Sequence, residues 1–441
     1  MQSIDIQPTC GRATVYAGEY LLLDSDVSRG GGTNQTALLQ AILDKAEDWG
    51  CLHLVMDGAA LVDGLRIHSN TTIECVSASC GFYLDDHRSE PLLQNAHPCL
   101  AGERMDRNIR LIGGTYNQNC RNQAHHVEKH EEGPWPEEGR DWVMCMKWYG
   151  VEELTLRDVT IRDQASFGIH VANFHSVCME NIHIDIPHLG FLRNQDGIHF
   201  WGPGRFLTLR NIRGTAGDDF IALAPDEGDG VSSITDVLID GVQLEEADQG
   251  IRMLSKGLGR LDRVTVRNVT GTYKSYGFFL NPWFYGTQRE GGSYGNILIE
   301  NVDLRQTAPK YTHYTPFLFR IGGNFEVLTL RNIAHHQPID SRPVIEIDQP
   351  YHEPHPQAEK RAYVSDIGAL IVDGLTIYQD EESAPMPRYL YINGRVRRLC
   401  LQNIRLIRTE EAQAAGSLLT MGPGGRVDQM ETDTVTAQSL G

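Results

Sequence analysis

The chain has no run of about 18 consecutive apolar residues, the length that spans a bilayer, so no membrane-crossing helix is predicted. Its first residues, MQSIDIQPTCGRATVYAGEY, carry neither a basic n-region nor an apolar h-region. No secretory signal is read there, and a cytoplasmic location is expected. Basic residues are scarce: 39 Lys and Arg stand against 58 Asp and Glu, a net charge of −19. That balance argues against partners made of nucleic-acid phosphate or anionic membrane. The nine cysteines are odd in number and contain no CxxC pair; the nearest two are Cys75 and Cys80. No disulfide framework, metal site or cofactor is predicted, and reduced, buried thiols are expected. Helical periodicity is nearly absent after residue 50, and no coiled-coil segment appears towards the C-terminus.

What the chain has is a repeat. The pattern apolar-x-apolar-x-[Asn/Asp/Gly]-apolar recurs as LTLRDV (154), VCMENI (177), LTLRNI (207), VLIDGV (237), VTVRNV (264), ILIENV (297), LTLRNI (328), LIVDGL (370) and LCLQNI (399). A weaker copy, IRLIGGTY, starts at 109, and LRIHSNTTIE (65–74) reads as an early coil. Each copy alternates as a strand with one buried face. A unit this short cannot close its own core and must stack on its neighbours. Leucine-rich repeats share the L-x-L-x-x-N flavour, but they keep a steadier period and add a convex helix. Here the spacing is irregular and a second strand follows, as in FGIHV (167–171), DGIHF (196–200) and DFIAL (219–223). The fold class predicted is all-β, a right-handed parallel β-helix forming one domain over 1–441. The recurring Asn181, Asn211, Asn268, Asn301, Asn332 and Asn403 are read as a stacked turn ladder.

At the N-terminal end, residues 33–50 predict a short capping helix. Thr33 or Asn34 is its N-cap, Leu38, Ile42 and Ala46 form its buried face, and Gly50 ends it. Such a helix covers strand edges that an open first coil would expose. Two stretches interrupt the repeat, 117–141 and 340–362, and both are read as loop insertions. The first contains HHVEKH, read as a solvated loop or groove wall because no matching ligand set occurs elsewhere. The tail beyond 415 reads as a weak coil or a frayed end.

Aligning the second strands on their Gly-apolar core places Phe167, Asp196, Asp219, Gln249 and Tyr276 in one column. Neighbouring coils lie about 4.8 Å apart, so Asp196 and Asp219 are expected to face each other, with Asp218 beside them. Carboxylates this close repel, and repulsion raises at least one pKa, as a general acid at neutral pH requires. Glycoside hydrolysis is the reaction that uses such a set: one protonated carboxyl serves the leaving oxygen, and an ionised one activates water or attacks. His170 and His199 fall in the column beside the aspartates, while Trp201 and Trp283, with Tyr285, offer rings for sugar faces.

Asn194-Gln195-Asp196-Gly197, followed by Gly217-Asp218-Asp219 within such a repeat, resembles glycoside hydrolase family 28, the polygalacturonases and rhamnogalacturonases. The chain is similar to a divergent member of the pectin-lyase-like β-helix superfamily, over the capping helix and about 65–340. The resemblance implies an inverting hydrolase in which Asp218 is the general acid, while Asp196 and Asp219 hold and activate water. Two family motifs are changed. The G-H-G motif falls on Asp248-Gln249-Gly250, and R-I-K falls on Phe279 to Asn281, so the family's uronate-binding Arg and Lys are replaced. Arg252, one coil earlier in the same column, is a candidate for part of that charge, with Lys256 behind it. An oligosaccharide or polysaccharide, which need not be polygalacturonate, is therefore the expected substrate. The competing readings are a β-helix polysaccharide lyase or epimerase, and a non-catalytic, tailspike-like carbohydrate-binding β-helix.

Overall fold

A computed structural model describes residues 13–16, 33–88, 90–123, 143–189, 194–284, 292–307, 316–336, 342–348, 351–352, 365–380, 383, 388–409 and 416–440. The chain divides into two compact units, Met1–His199 with Leu209–Asp218, and Phe200–Thr208 with Asp219–Gly441. Each is a right-handed parallel β-helix, built from strands that pair in parallel with the next coil. Among the described residues no helix is long and apolar enough to cross a membrane.

The first unit begins with a strand, Ala13–Tyr16, paired to Leu52–Met56. The capping segment between them forms two short helices, α1 (Thr36–Leu43) and α2 (Lys45–Trp49). Gln35, and neither Thr33 nor Asn34, stands at the N-cap. Asn34 instead makes an Asx turn, its Oδ1 accepting from the Thr36 amide at 3.1 Å. The buried stripe is Leu39, Ile42, Leu43 and Ala46, so Ile42 and Ala46 fall where expected while Leu38 is 37% exposed. Gly50 ends α2 with φ +74°, as expected. Gln40 shows how the helix covers an edge. Its Nε2 donates to the Arg66 carbonyl at 3.0 Å and its Oε1 accepts from the Arg66 amide at 2.8 Å. The side-chain amide replaces a missing strand partner, each bond contributing about 0.5–1.5 kcal/mol.

In the second unit one apolar column runs Val237, Val264, Ile297, Leu328, Leu370, Leu399, Met430. A parallel column contains Val266, Ile299, Leu330 and Val372, all 0% exposed. Burying each such side chain stabilises by about 1.5–3 kcal/mol. Aromatic pairs stack along the same direction, Phe278 on Phe319 at 4.8 Å and Tyr294 on Phe325 at 4.2 Å. On the last coil Met430 and Val435 are 55% and 48% exposed, since no later strand covers them among the described residues.

The asparagine ladder is present in both units. Asn181, Asn211, Asn268, Asn301, Asn332 and Asn403 all have φ between 52° and 59°. Asn is the non-glycine residue that tolerates this left-handed turn best. Each carboxamide also donates to the previous coil: Asn211 to Asn181 at 3.0 Å, Asn301 to Asn268 at 3.1 Å and Asn332 to Asn301 at 2.9 Å. Where the previous residue is acidic, it accepts instead, as Asp158 does from Asn181 at 2.7 Å.

All cysteines among the described residues are free, Cys75 and Cys80 included. Inside the stretch 340–362, Ile345–Ile347 forms a rung paired with Phe317–Ile321 and with Arg388–Ile392. The HHVEKH sequence lies outside the described residues. The tail beyond 415 continues as strands Ser417–Met421 and Arg426–Leu440.

Candidate active site

The first unit holds Asn194, Asp196, His170, His199 and Asp218. Asp196 is 2% exposed and His199 is 5% exposed. His199 Nδ1 donates to Asp196 Oδ2 at 2.7 Å, and a hydrogen bond to an ionised group contributes about 1.5–3 kcal/mol. The imidazole is held on its faces as well. It stacks on Phe167 at 4.4 Å and meets His170 edge-on at 5.3 Å. The Tyr149 hydroxyl lies 2.7 Å from His170 Nδ1. Burial pushes that hydroxyl above the usual tyrosine range, so it remains a proton donor at neutral pH.

The backbone beneath these groups is fixed by two glutamines and two glycines. The Asp196 carbonyl accepts from the Gly168 amide at 2.9 Å and from Gln164 Nε2 at 3.0 Å. Gln195 Nε2 returns to the Gln164 carbonyl at 3.0 Å. The Gly217 amide donates to the Gln195 carbonyl at 2.9 Å, and a Cβ on Gly217 would meet Gln195 at 3.2 Å. That close approach sets Gly217-Asp218 alongside Gln195-Asp196 on neighbouring coils. Asp218 is half-buried, and Asn194 turns the chain into the motif with φ +55°.

In the second unit Asp219 accepts from the Tyr276 hydroxyl. The register Asp219, Gln249, Tyr276, Phe317 agrees with the column read from the sequence and extends it by one coil. Three positions on, a second column runs Ala222, Arg252, Phe279, Arg320, Glu346. Arg252 is 2% exposed, and its guanidinium carbon lies 3.9 Å from the Phe279 ring centroid. Arg320 approaches the same ring at 5.9 Å while pairing with Asp348 at 3.2 Å. Arg252 Nη2 also reaches the Asn281 carbonyl at 3.5 Å.

The remaining candidates have well-defined surroundings. Asn281 is fully buried, and Gln249 is half-buried in its column. Buried Asp248 accepts from Ser275 Oγ at 2.6 Å. Trp201 donates through Nε1 to Glu227 at 3.1 Å, and Lys256 Nζ lies 3.8 Å from the same carboxylate. The next carboxylate, Asp226, accepts backbone amides from Lys256, Gly257 and Gly259. Burial pushes its carboxyl above the usual range even though these amides oppose the shift. Trp283 stands in a strand, Trp283–Phe284, paired with Tyr351–His352. The Trp283 side chain and Tyr285 lie outside the described residues.

Three participants were not singled out for function from sequence. Tyr149 is one coil before His170, whose strand partner is Lys147; Arg320 is one coil after Phe279; and Tyr276 was placed in its column without a role. Extending the alignment of second strands by one coil finds Arg320, whereas Tyr149 aligns with Ala172 and not with His170.

No protein-family model matches the chain, and no curated protein matches it in sequence. Solved structures do match in fold. The family 28 exopolygalacturonase of Yersinia enterocolitica is 13% identical at a TM-score of 0.63, over 97% of this chain and 79% of that one. The hyperthermoactive exopolygalacturonase of Thermotoga maritima is 13% identical at 0.56, over 98% and 93%. The A-module of the mannuronan C-5 epimerase AlgE6 of Azotobacter vinelandii is 12% identical at 0.59, over 97% and 99%. At such identities the likeness is one of fold: the chain shares the parallel β-helix of these carbohydrate-active proteins.

Proposed function

We propose that the protein is a glycoside hydrolase in which Asp218 protonates the leaving oxygen and Asp196 activates water. The observation that carries this reading is the Asp196–His199 pair, buried at 2.7 Å, with Gly217-Asp218 hydrogen-bonded alongside its backbone. A nearly buried carboxylate held by an imidazole is fixed in orientation, which suits a base. The half-buried Asp218 stands one residue from the glycine that makes the close approach, which suits a proton donor to substrate. Asp219, next in the chain, keeps the water-holding role that the family resemblance gives it.

The reading of substrate follows from Arg252. Its guanidinium faces the Phe279 ring and the Asn281 carbonyl, in the column where the family resemblance expects a uronate clamp. Where the family resemblance puts the uronate-binding Arg and Lys, this chain has Phe279 and Asn281, and Arg252 rests over the first of these instead. A neutral or deoxy sugar fits this arrangement better than galacturonate. The test is a screen of defined pectic and neutral oligosaccharides with reducing ends and product lengths as readout. New reducing ends that disappear with Asp218→Asn support the proposal. Products with an ultraviolet-absorbing unsaturated uronate would replace it with the lyase reading, and full turnover in Asp218→Asn would remove it.

A further inference from the structure

At one corner of the first unit, away from His199, three coils in succession deliver donors of different chemistry to one place. The strands Thr115–Asn117, Thr160–Arg162 and the end of Ile169–Asp185 pair in register, with Asn117, Arg162 and Asp185 at equivalent positions. Just beyond them come Cys120, Asp163 and His188. The Cys120 thiol donates to Asp163 Oδ1 at 3.4 Å, and His188 Nδ1 donates to Asp163 Oδ2 at 2.7 Å. One ligand atom from each of the three lies within 4.8 Å of the other two. Cys120 and Asp163 are buried, whereas the His188 side chain is 37% exposed and leaves the cluster a way in from solvent.

We propose that Cys120, Asp163 and His188 bind a zinc-class divalent cation, with water completing the coordination. Sulfur, imidazole and carboxylate together form a set suited to zinc and to its cobalt substitute, and unsuited to magnesium or calcium. Metal–ligand bonds of about 2.0–2.3 Å bring such donors within about 4 Å of each other. The cluster therefore needs side-chain movements of about 1 Å and no change of coil. On binding, the thiol proton of Cys120 leaves to solvent and its sulfur takes the metal, while His188 adopts the neutral tautomer whose proton sits on the ring nitrogen turned away from the metal. The cation also gives the buried sulfur and the buried carboxylate a shared opposite charge, in place of a hydrogen bond from a weak thiol donor.

The site has a reason to matter. Asp163 is followed by Gln164, whose carboxamide and carbonyl hold the Asp196 carbonyl and the Gln195 side chain. A cation at Asp163 braces the turn that positions Asp196, without touching substrate. This site was not legible in the sequence, because its members stand 43 and 25 residues apart and belong to no short motif.

The experiment uses the full chain, freed of metal with a chelator and titrated with Co2+ and then Zn2+. One Co2+ per chain is expected, with visible ligand-field bands and a near-ultraviolet sulfur-to-cobalt band that Cys120→Ser abolishes. His188→Gln, at a half-exposed position that leaves the fold intact by circular dichroism, is expected to weaken Zn2+ binding at least tenfold. The proposal is overturned if no sulfur band forms, if the band survives Cys120→Ser, or if His188→Gln binds Zn2+ as tightly as the parent. Should Cys120→Ser fail to fold, the His188→Gln titration decides.

Discussion

Two columns of the second unit follow opposite rules. In the turn column the same residue returns on successive coils, Asn268, Asn301 and Asn332, each bonded to the one before. In the strand column Asp219, Gln249, Tyr276 and Phe317, no residue occurs twice. The turn position demands a left-handed φ at every coil; Gly241 and Gly374 meet it without a side chain, and where Asn stands its carboxamide donates to the coil before. The strand position is satisfied by its backbone ladder and leaves the side chain free to vary. Chemistry can accumulate in the second kind of column at no cost to the fold. Asp219 with Tyr276, and Arg252 with Phe279, are what accumulated there.

This division makes claims that can be broken. The largest expected effect is on turnover: Asp218→Asn should lower kcat about 10²–10⁴-fold, the usual share of a general acid, with an unchanged melting curve. Reducing-end assays beside calorimetry check it, and a large loss of stability would put Asp218 on the structural side. Leu330→Ala, in the buried apolar column, should do the reverse. About 2–5 kcal/mol of stability should be lost in denaturant titrations, with kcat retained at low temperature.

His335 tests the rule in a third column, where Leu304, His335, Ile377 and Leu406 are partners. It is buried, its Nε2 is 2.8 Å from the Tyr273 hydroxyl, and burial lowers its pKa to about 3. A histidine whose folded pKa is depressed binds its proton more readily in the unfolded chain. Its contribution to stability is present above the unfolded pKa of about 6.5 and is lost as pH falls from there towards about 3. The slope should reach about 1.4 kcal/mol per pH unit, and His335→Leu should remove that part of it in melts at pH 7 and pH 5. The smallest effect belongs to the ladder itself. Asn332→Ala keeps the backbone in a left-handed turn without the bond to Asn301, at an expected cost of about 1–2 kcal/mol by denaturant midpoint.

Much of this was legible before any coordinates. The asparagine ladder could be read because a left-handed turn admits few residue types and recurs once per coil. The column through Phe167 and Asp196, and that through Asp219, Gln249 and Tyr276, could be read because the Gly-apolar core marks register. The start of α1 was misplaced by one or two residues and Leu38 stood in for Leu39, while Ile42 and Ala46 are buried as read. An Asx turn at Asn34 and a break at Asp44 are weak local signals beside an apparent apolar stripe. The Gln40 clamp on Arg66 carried no signal at all, since any long polar side chain could occupy that place.

By itself, then, the amino-acid order determined the parallel β-helix, its turn ladder and the register of Asp219 with Gln249 and Tyr276. Each of these rests on local rules, a two-residue alternation and a turn geometry, repeated until they could not be missed. Only the tertiary structure decided the partners: His199 for Asp196, Tyr276 for Asp219, Phe279 for Arg252, and the meeting of Cys120, Asp163 and His188. Coils of unequal length bring together residues dozens of positions apart. Which of them touch depends on how each coil closes, and no local pattern records that.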